Sequence, residues 1–411
     1  MNEMTAPSPR YPLDGIRVLA VEGFIAAPLC TMWLGDLGAE VIKIEAPGKG
    51  DPRRSFIPMM QNEHGEKISG GFMAYNRNKK SLTVDLKSSE GVGVFKELVK
   101  KSDVVVENLK PGTMERLGLD YPVLRELNPG LIYVALSGFG RMESLKGPYS
   151  DWPAFDAVIQ AMAGIMHRVG EADGPPLLGV AGSADRISAL TAGYAVLLAL
   201  FMRERTGRGQ LVDVAMYDAN LLLNETAMYM YSLTGTVLTR GKEELYAPVG
   251  GFKTRDGWVG LIITNEDMWA RLCRAMDRVD LIEHPLCKGT KARAANYASF
   301  VKPIVDEWMV NRTQHEVVEA LLAEECPVGI VQTSEDLYRC PQVEARHMLV
   351  EVDDPVAGKR KFVNNPFRFS DTPEKPAVRP PRLGEHNREI LSEVLGYNDV
   401  EIERLRQAGV L

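Results

Sequence analysis

The segment Gly182-Ser183-Ala184-Asp185-Arg186-Ile187-Ser188 places one carboxylate among small residues at the mouth of a long apolar run. Asp185 can do two different things there. An aspartate at a helix start most often caps it, accepting orphan backbone N–H groups. The same place favours a carboxylate anion and offers N–H groups to a developing oxyanion. A carboxylate with room beside it can also attack as a nucleophile and form an acyl-enzyme. The residue types alone leave both readings open. His167 and His386 are the candidate general bases, although a lone histidine is more often structural. No G-x-S-x-G elbow and no H-E-x-x-H pair occurs, so serine and zinc hydrolase chemistry has no local support. Cys30, Cys273, Cys287, Cys326 and Cys340 form no C-x-x-C pair and have no histidine at ligand spacing. Reduced structural thiols are expected, with neither a metal site nor a disulfide framework. Lys79, Lys80, Lys87, Lys110 and Arg116 gather near the ends of strand-like segments. Such charges usually form a solvated face, yet the ends of parallel strands are where an α/β sheet binds ligands.

The elements that must position these groups alternate in the first part of the chain. Residues 16–21, 40–45, 81–86, 104–106, 131–136 and 211–215 read as strands, several of them short apolar runs suited to burial on both faces. Helical patterns separate them at 26–38 and 88–101, the second with Ser88 or Ser89 as its cap. This alternation predicts a Rossmann-like, doubly wound parallel sheet. The first strand is followed by Glu22-Gly23-Phe24-Ile25-Ala26-Ala27, which lacks the G-x-G-x-x-G of a dinucleotide site, so neither NAD nor FAD is expected. Residues 187–205 read as a helix apolar nearly all round, and therefore buried. Residues 218–233 read as a second long helix. Near residue 235 the texture changes to strand, Asp-Gly turn and strand, then helices at 268–276, 302–310 and 315–323. A β pair is expected at 349–352 and 361–369, with two helical segments at the C-terminus.

Size and charge narrow the function. The chain has 411 residues and a net charge of −7, too acidic for a general nucleic-acid binder. The apolar stretch 189–202 is shorter than the ~20 residues of a membrane span, so no membrane partner is expected. Residues 1–11 have no apolar core of a signal peptide and read as a disordered leader, which fits a cytoplasmic protein.

Several phrases, in order and spacing, resemble the class III CoA-transferase family, which includes alpha-methylacyl-CoA racemase. They are Pro12-Leu13-Asp14-Gly15, Leu34-Gly35-Asp36-Leu37-Gly38-Ala39-Glu40-Val41-Ile42-Lys43-Ile44-Glu45, Asn78-Lys79-Lys80-Ser81, Leu127-Asn128-Pro129, Thr206-Gly207-Arg208-Gly209-Gln210 and Leu383-Gly384-Glu385-His386. The resemblance implies transfer of CoA from an acyl-CoA to a small carboxylic acid. Asp185 matches the family's nucleophilic aspartate. By position, the resemblance assigns Phe24, Ala26, Val84, Lys87, Asn108, Leu109 and Arg116 to coenzyme A. Two features depart from formyl-CoA transferase. Ile25 stands where that enzyme has a glutamine, and only Gly250-Gly251 echoes its glycine-rich loop. The racemase reading needs a histidine where Phe155 stands in Pro153-Ala154-Phe155-Asp156, which favours transfer; a non-catalytic CoA-binding protein would need no Asp185. Arg240 and Arg255 are candidates to meet a second carboxylate of a dicarboxylic substrate. The family's interlocked homodimers are also implied. The expected organisation is a leader at 1–11, a large CoA-binding domain at 12–220, a linker helix at 221–234, a small α+β domain at 235–330, and a return to the large domain over 331–411.

Overall fold

The computed structural model describes residues 10–241 and 246–411. Most of the expected leader, and residues 242–245 of the expected small domain, lie outside the described residues.

Strands β1 (Arg17–Val21), β2 (Glu40–Glu45), β3 (Lys79–Thr83), β4 (Val104–Glu107), β5 (Ile132–Ser137) and β6 (Leu211–Ala215) form one sheet. All neighbours pair in parallel, in the order 3-2-1-4-5-6. The pleat sends alternate residues to opposite faces, and both faces are covered. Val18 and Ala20 of β1 enter one apolar layer, with helix α1 (Ala26–Asp36). Leu19 and Val21 enter the other, with α2 (Ser89–Val99) and the C-terminal helices Asn387–Glu393 and Asp399–Gln407. Ser88 caps α2 by accepting from Gly91 N–H at 3.0 Å.

Strand β3 begins two residues before the expected 81–86 and ends at Thr83. It opens on Lys79 and Lys80, whose charges are neutralised by glutamates and so tolerate the sheet edge. The long helix is α4 (Ser183–Thr206); α3 (Asp156–Met162) precedes it. The expectation that this helix is buried nearly all round is corrected. Ala189, Ala192, Val196 and Ala199 pack toward the sheet and α1. Leu190, Leu197, Leu198, Phe201 and Met202 are exposed, and Tyr194 is 66% exposed. By length and composition alone α4 could cross a membrane; here its buried face is part of the sheet's core. The helix expected over 218–233 is broken into Met216–Leu221, a 3₁₀ turn Leu222–Asn224, and Glu225–Thr234. Asn224 donates from Nδ2 to the Ala163 carbonyl at 3.2 Å, a tie that holds this turn.

The chain forms two compact units. One runs through His167 and takes in Leu177–Met228 and Ala345–Leu411; the other comprises Arg168–Pro176 and Tyr229–Glu344. The second unit holds an antiparallel sheet of β7 (Val249–Lys253), β8 (Trp258–Ile262) and β9 (Val328–Ile330). Helices Glu266–Ala275, Lys302–Val310 and Gln314–Ala323 bury Trp269, Val305 and Leu321 in its core. In the first unit, β10 (Leu349–Asp354) pairs with β11 (Gly358–Val363), three residues earlier than the expected second strand. Asp354 Oδ1 accepts from Val356 and Ala357 N–H, which turns the chain back sooner.

Candidate active site

In this strand order the chain leaves β1 toward β2 and leaves β4 toward β5, on opposite sides. The loops after the two strands therefore part and leave a crevice, where open α/β sheets bind ligands. A cavity of about 540 Å³ lies there. Phe24, Ala26, Val84, Lys87, Asn108, Leu109 and Asp185 all line it. Arg116 does not. It is exposed and donates from Nη2 to Thr113 Oγ1 at 2.9 Å, and Thr113 is a lining residue.

The turn after β1 is held from both sides. Asn108 accepts from Gly23 N–H and donates to the Gly23 carbonyl, each at 2.9 Å. Its amide is thereby committed to the turn. Phe24 sits at φ +66°, a region bulky residues rarely enter without constraint. Its N–H donates to Asp51 Oδ1 at 3.3 Å, and its ring meets Phe155 and Phe56 edge-on. Phe24 also lines the cavity.

Beneath this turn lies a buried charge network. Lys79 Nζ reaches Glu22 Oε1 at 2.7 Å; Lys43 Nζ reaches Glu22 at 3.2 Å and Asp51 at 2.8 Å. All these side chains are fully buried. Burial pushes the Glu22 carboxyl up, but the two lysines outweigh it and hold it below its ordinary value. Burial draws Lys79 down to about 8 against the pull of Glu22. Beside them Arg54 pairs with Glu45 at 2.7 Å. The expectation of a solvated face at Lys79 and Lys80, like the alternative of cations open to an anion, is thus corrected. Lys79 is enclosed, and Lys80 is held by Glu40 and Glu389. Lys87 and Lys110 remain exposed on the cavity lining, with no ion-pair partner among the described residues.

At the mouth of α4 the two roles considered for Asp185 are separated. Asp156 performs the capping. Its Oδ2 accepts from Gly182 N–H and its Oδ1 from Ala184 N–H, both at 2.8 Å. Gln160, one turn along α3, donates to Asp156 Oδ2 and accepts from Gly179 N–H, tying down the loop into α4. Ser183 N–H donates to the Val180 carbonyl. These three amides are occupied, so the expected oxyanion role for the helix start does not fall to them. Asp185 itself makes no cap hydrogen bond and accepts none from any described residue. Burial raises its pKa to about 6; Asp156 adds to the rise, while Arg186 and Arg53 oppose it. The result is a carboxylate that is ionised at neutral pH, lines a cavity and is poorly solvated. That is the condition of a nucleophile. Sequence reasoning missed Asp156 and Gln160; their i, i+4 spacing was the available signal.

The other candidates lie elsewhere. His386 Nδ1 accepts from Ser81 N–H at 3.2 Å. Burial lowers its pKa, and it does not line the cavity. His167 is exposed and likewise outside the lining. Arg240 donates to the Gly174 carbonyl, and Arg255 reaches Glu316 at 3.5 Å. Gly250 and Gly251 are paired residues of β7, not a loop. Ile25 is the residue preceding α1.

Comparison with known proteins agrees with this fold. The model of CoA-transferase family III matches residues 13–387, and the chain belongs to that family. It is a class III CoA-transferase, and CoA is its substrate. It is 38% identical to succinyl-CoA:mesaconate CoA-transferase of Haloarcula hispanica over 95% of this chain and 98% of that one. It is 36% identical to succinyl-CoA–D-citramalate CoA-transferase of Chloroflexus aurantiacus, over 99% and 100%. The crystal structure of a CAIB/BAIF family protein from Brucella suis superposes with a TM-score of 0.82 and 32% identity, covering 94% of this chain and 100% of that one.

Proposed function

We propose that Asp185 carries CoA transfer from an acyl-CoA donor to a free carboxylic acid through covalent intermediates. The Asp185 carboxylate attacks the thioester carbonyl. The C–S bond breaks, CoA thiolate leaves and a mixed anhydride forms. The thiolate then attacks the aspartyl carbonyl and expels the donor's carboxylate, leaving an aspartyl-CoA thioester. The acceptor carboxylate attacks that thioester and again frees the thiolate. The thiolate finally takes the acceptor acyl group from the new anhydride and regenerates Asp185. No net proton moves, so no general base is required. The observation that carries this reading is the cavity-lining Asp185 carboxylate, which has no hydrogen bond from any described residue, while Asp156 does the capping.

Phe24, Ala26, Val84, Lys87, Asn108 and Leu109 would contact CoA, with Arg116 at the periphery. Lys87 has the chemistry for a CoA phosphate. The two similar CoA-transferases named above carry succinyl-CoA in their names, which favours a succinyl-type donor and a small carboxylic acceptor. No histidine lines the cavity among the described residues, so the histidine that proton exchange by a His–Asp pair would need is not there. The exposed apolar face of α4 is large for a free surface, which supports a homodimer that covers it.

The test is Asp185→Asn. It keeps size and fold, and it should retain CoA binding while losing transfer by about 10³-fold or more. Transfer near the wild-type rate would refute the assignment.

A further inference from the structure

The geometry points to Arg53 and Arg186 as the site for the distal carboxylate of a dicarboxylic acyl group, and so to a dicarboxylic substrate class fixed by these two guanidiniums. The inference rests on Asp185 as the point where the acyl group is attached.

Several half-buried arginines in this chain are matched to carboxylates, while Arg168, Arg240 and Arg312 hydrogen-bond backbone carbonyls. Arg54 pairs with Glu45, Arg17 with Glu40 and Arg141 with Glu107. Arg53 and Arg186 are half-buried too, but neither has a carboxylate at ion-pair distance among the described residues. They converge on one ring. The Arg53 guanidinium lies 5.0 Å from the centre of Tyr75, and Arg186 Nη2 lies 3.4 Å from the Tyr75 hydroxyl. Each is oriented by a single backbone carbonyl: Arg53 Nε donates to Gly71, and Arg186 Nη1 to Ala181. That fixes the planes and leaves further N–H groups of both open. A planar fork held this way suits a carboxylate.

Neither arginine lines the cavity itself, but each adjoins a residue that does, Arg53 after Pro52 and Arg186 after Asp185. Both arginines act electrostatically on the Asp185 carboxylate. Arg53 also covers the face of Phe56 at 5.1 Å, and Phe56 meets Phe24 on the cavity wall. Phe24, Trp152 and Phe155 give that wall its apolar character, matching the methylene carbons between two carboxyl groups. The cations proposed for CoA phosphate stand apart from this pair. Lys87 follows β3 at one edge of the sheet, whereas α4 packs over β5 and β6 toward the other edge.

The test compares the donor half-reaction with succinyl-CoA and with butyryl-CoA, which has the same carbon count but no distal carboxylate. CoA release and the mass of the enzyme adduct are followed without acceptor. Wild type should prefer succinyl-CoA. Arg53→Ala and Arg186→Ala should each cut that preference by about tenfold or more, the loss of a charge-assisted hydrogen bond. Arg53→Lys and Arg186→Lys should restore part of it. A change in Asp185 reactivity alone would slow both donors equally and leave the ratio unchanged. An unchanged ratio in the alanine variants, or no wild-type preference, overturns the assignment. If Asp185→Asn still forms an adduct, the underlying reading of the nucleophile has failed instead.

Discussion

Under the turn after β1, Glu22, Lys43, Asp51 and Lys79 are fully buried and pair with one another. At the mouth of α4, Asp185 accepts no hydrogen bond, and Arg53 and Arg186 have no carboxylate partner among the described residues. The two groups differ in what their charges are for. The first set joins β1, β2, β3 and the loop after β2, and so holds the Phe24 turn in place. The second set is left short of partners among the described residues, and an incoming substrate can supply them. Asp156 makes this possible: by taking the amides at the start of α4, it spares Asp185 from structural duty.

Breaking the first set should have the largest effect on stability. Glu22→Ala leaves Lys43 and Lys79 buried without their shared carboxylate, and should cost about 3–5 kcal/mol in chemical denaturation. A cost near zero would mean that the network does not hold the fold. The next largest effect concerns binding. Lys87→Ala should raise KM for acyl-CoA more than for the free acid, by a contact of roughly 1–3 kcal/mol. CoA lacking its 3′-phosphate should narrow the gap if Lys87 holds that group. Equal effects on both substrates would remove Lys87 from the CoA site.

The second set should behave in the opposite way from the first. The Asp185 pKa rises from 3.8 to about 6, so the folded state disfavours its charged form. That penalty is fully present above about 6, shrinks as the pH falls toward 3.8, and is absent below it. Asp185→Asn should therefore stabilise the protein by about 1 kcal/mol at pH 8, after discounting for partial exposure. The gain should vanish near pH 4. A destabilised Asn variant at pH 8 would return Asp185 to a capping role. The smallest effect is expected at Arg116→Ala, which should change KM for acyl-CoA less than Lys87→Ala, because Arg116 lies outside the cavity lining.

The contrast also explains what was legible in the sequence. The span of β2, all of β6 and the cap of α2 follow from local pattern, and structure places them where the pattern does. Asp185 was visible from its small neighbours and from family resemblance. Its freedom from capping was not, because the capping residue, Asp156, lies 28 positions before Ala184, whose amide it takes. Lys79 was misread for the same reason: Glu22, its partner, is 57 residues away, and spacing along the chain carries no trace of that pair. The exposed face of α4 was missed because an all-round apolar helix reads alike in sequence whether its outer face is buried or exposed. Phe24 lines the cavity, but nothing local indicated its left-handed backbone, which Asp51 and the aromatic contacts enforce from a distance.

The most direct measurement is to incubate the enzyme with acyl-CoA in the absence of acceptor, treat it with hydroxylamine, and map the modified peptide by mass spectrometry. The account predicts an adduct on the peptide carrying Asp185, converted to a hydroxamate at that residue. Sustained transfer with no adduct on Asp185, or with the adduct on another residue, would contradict it.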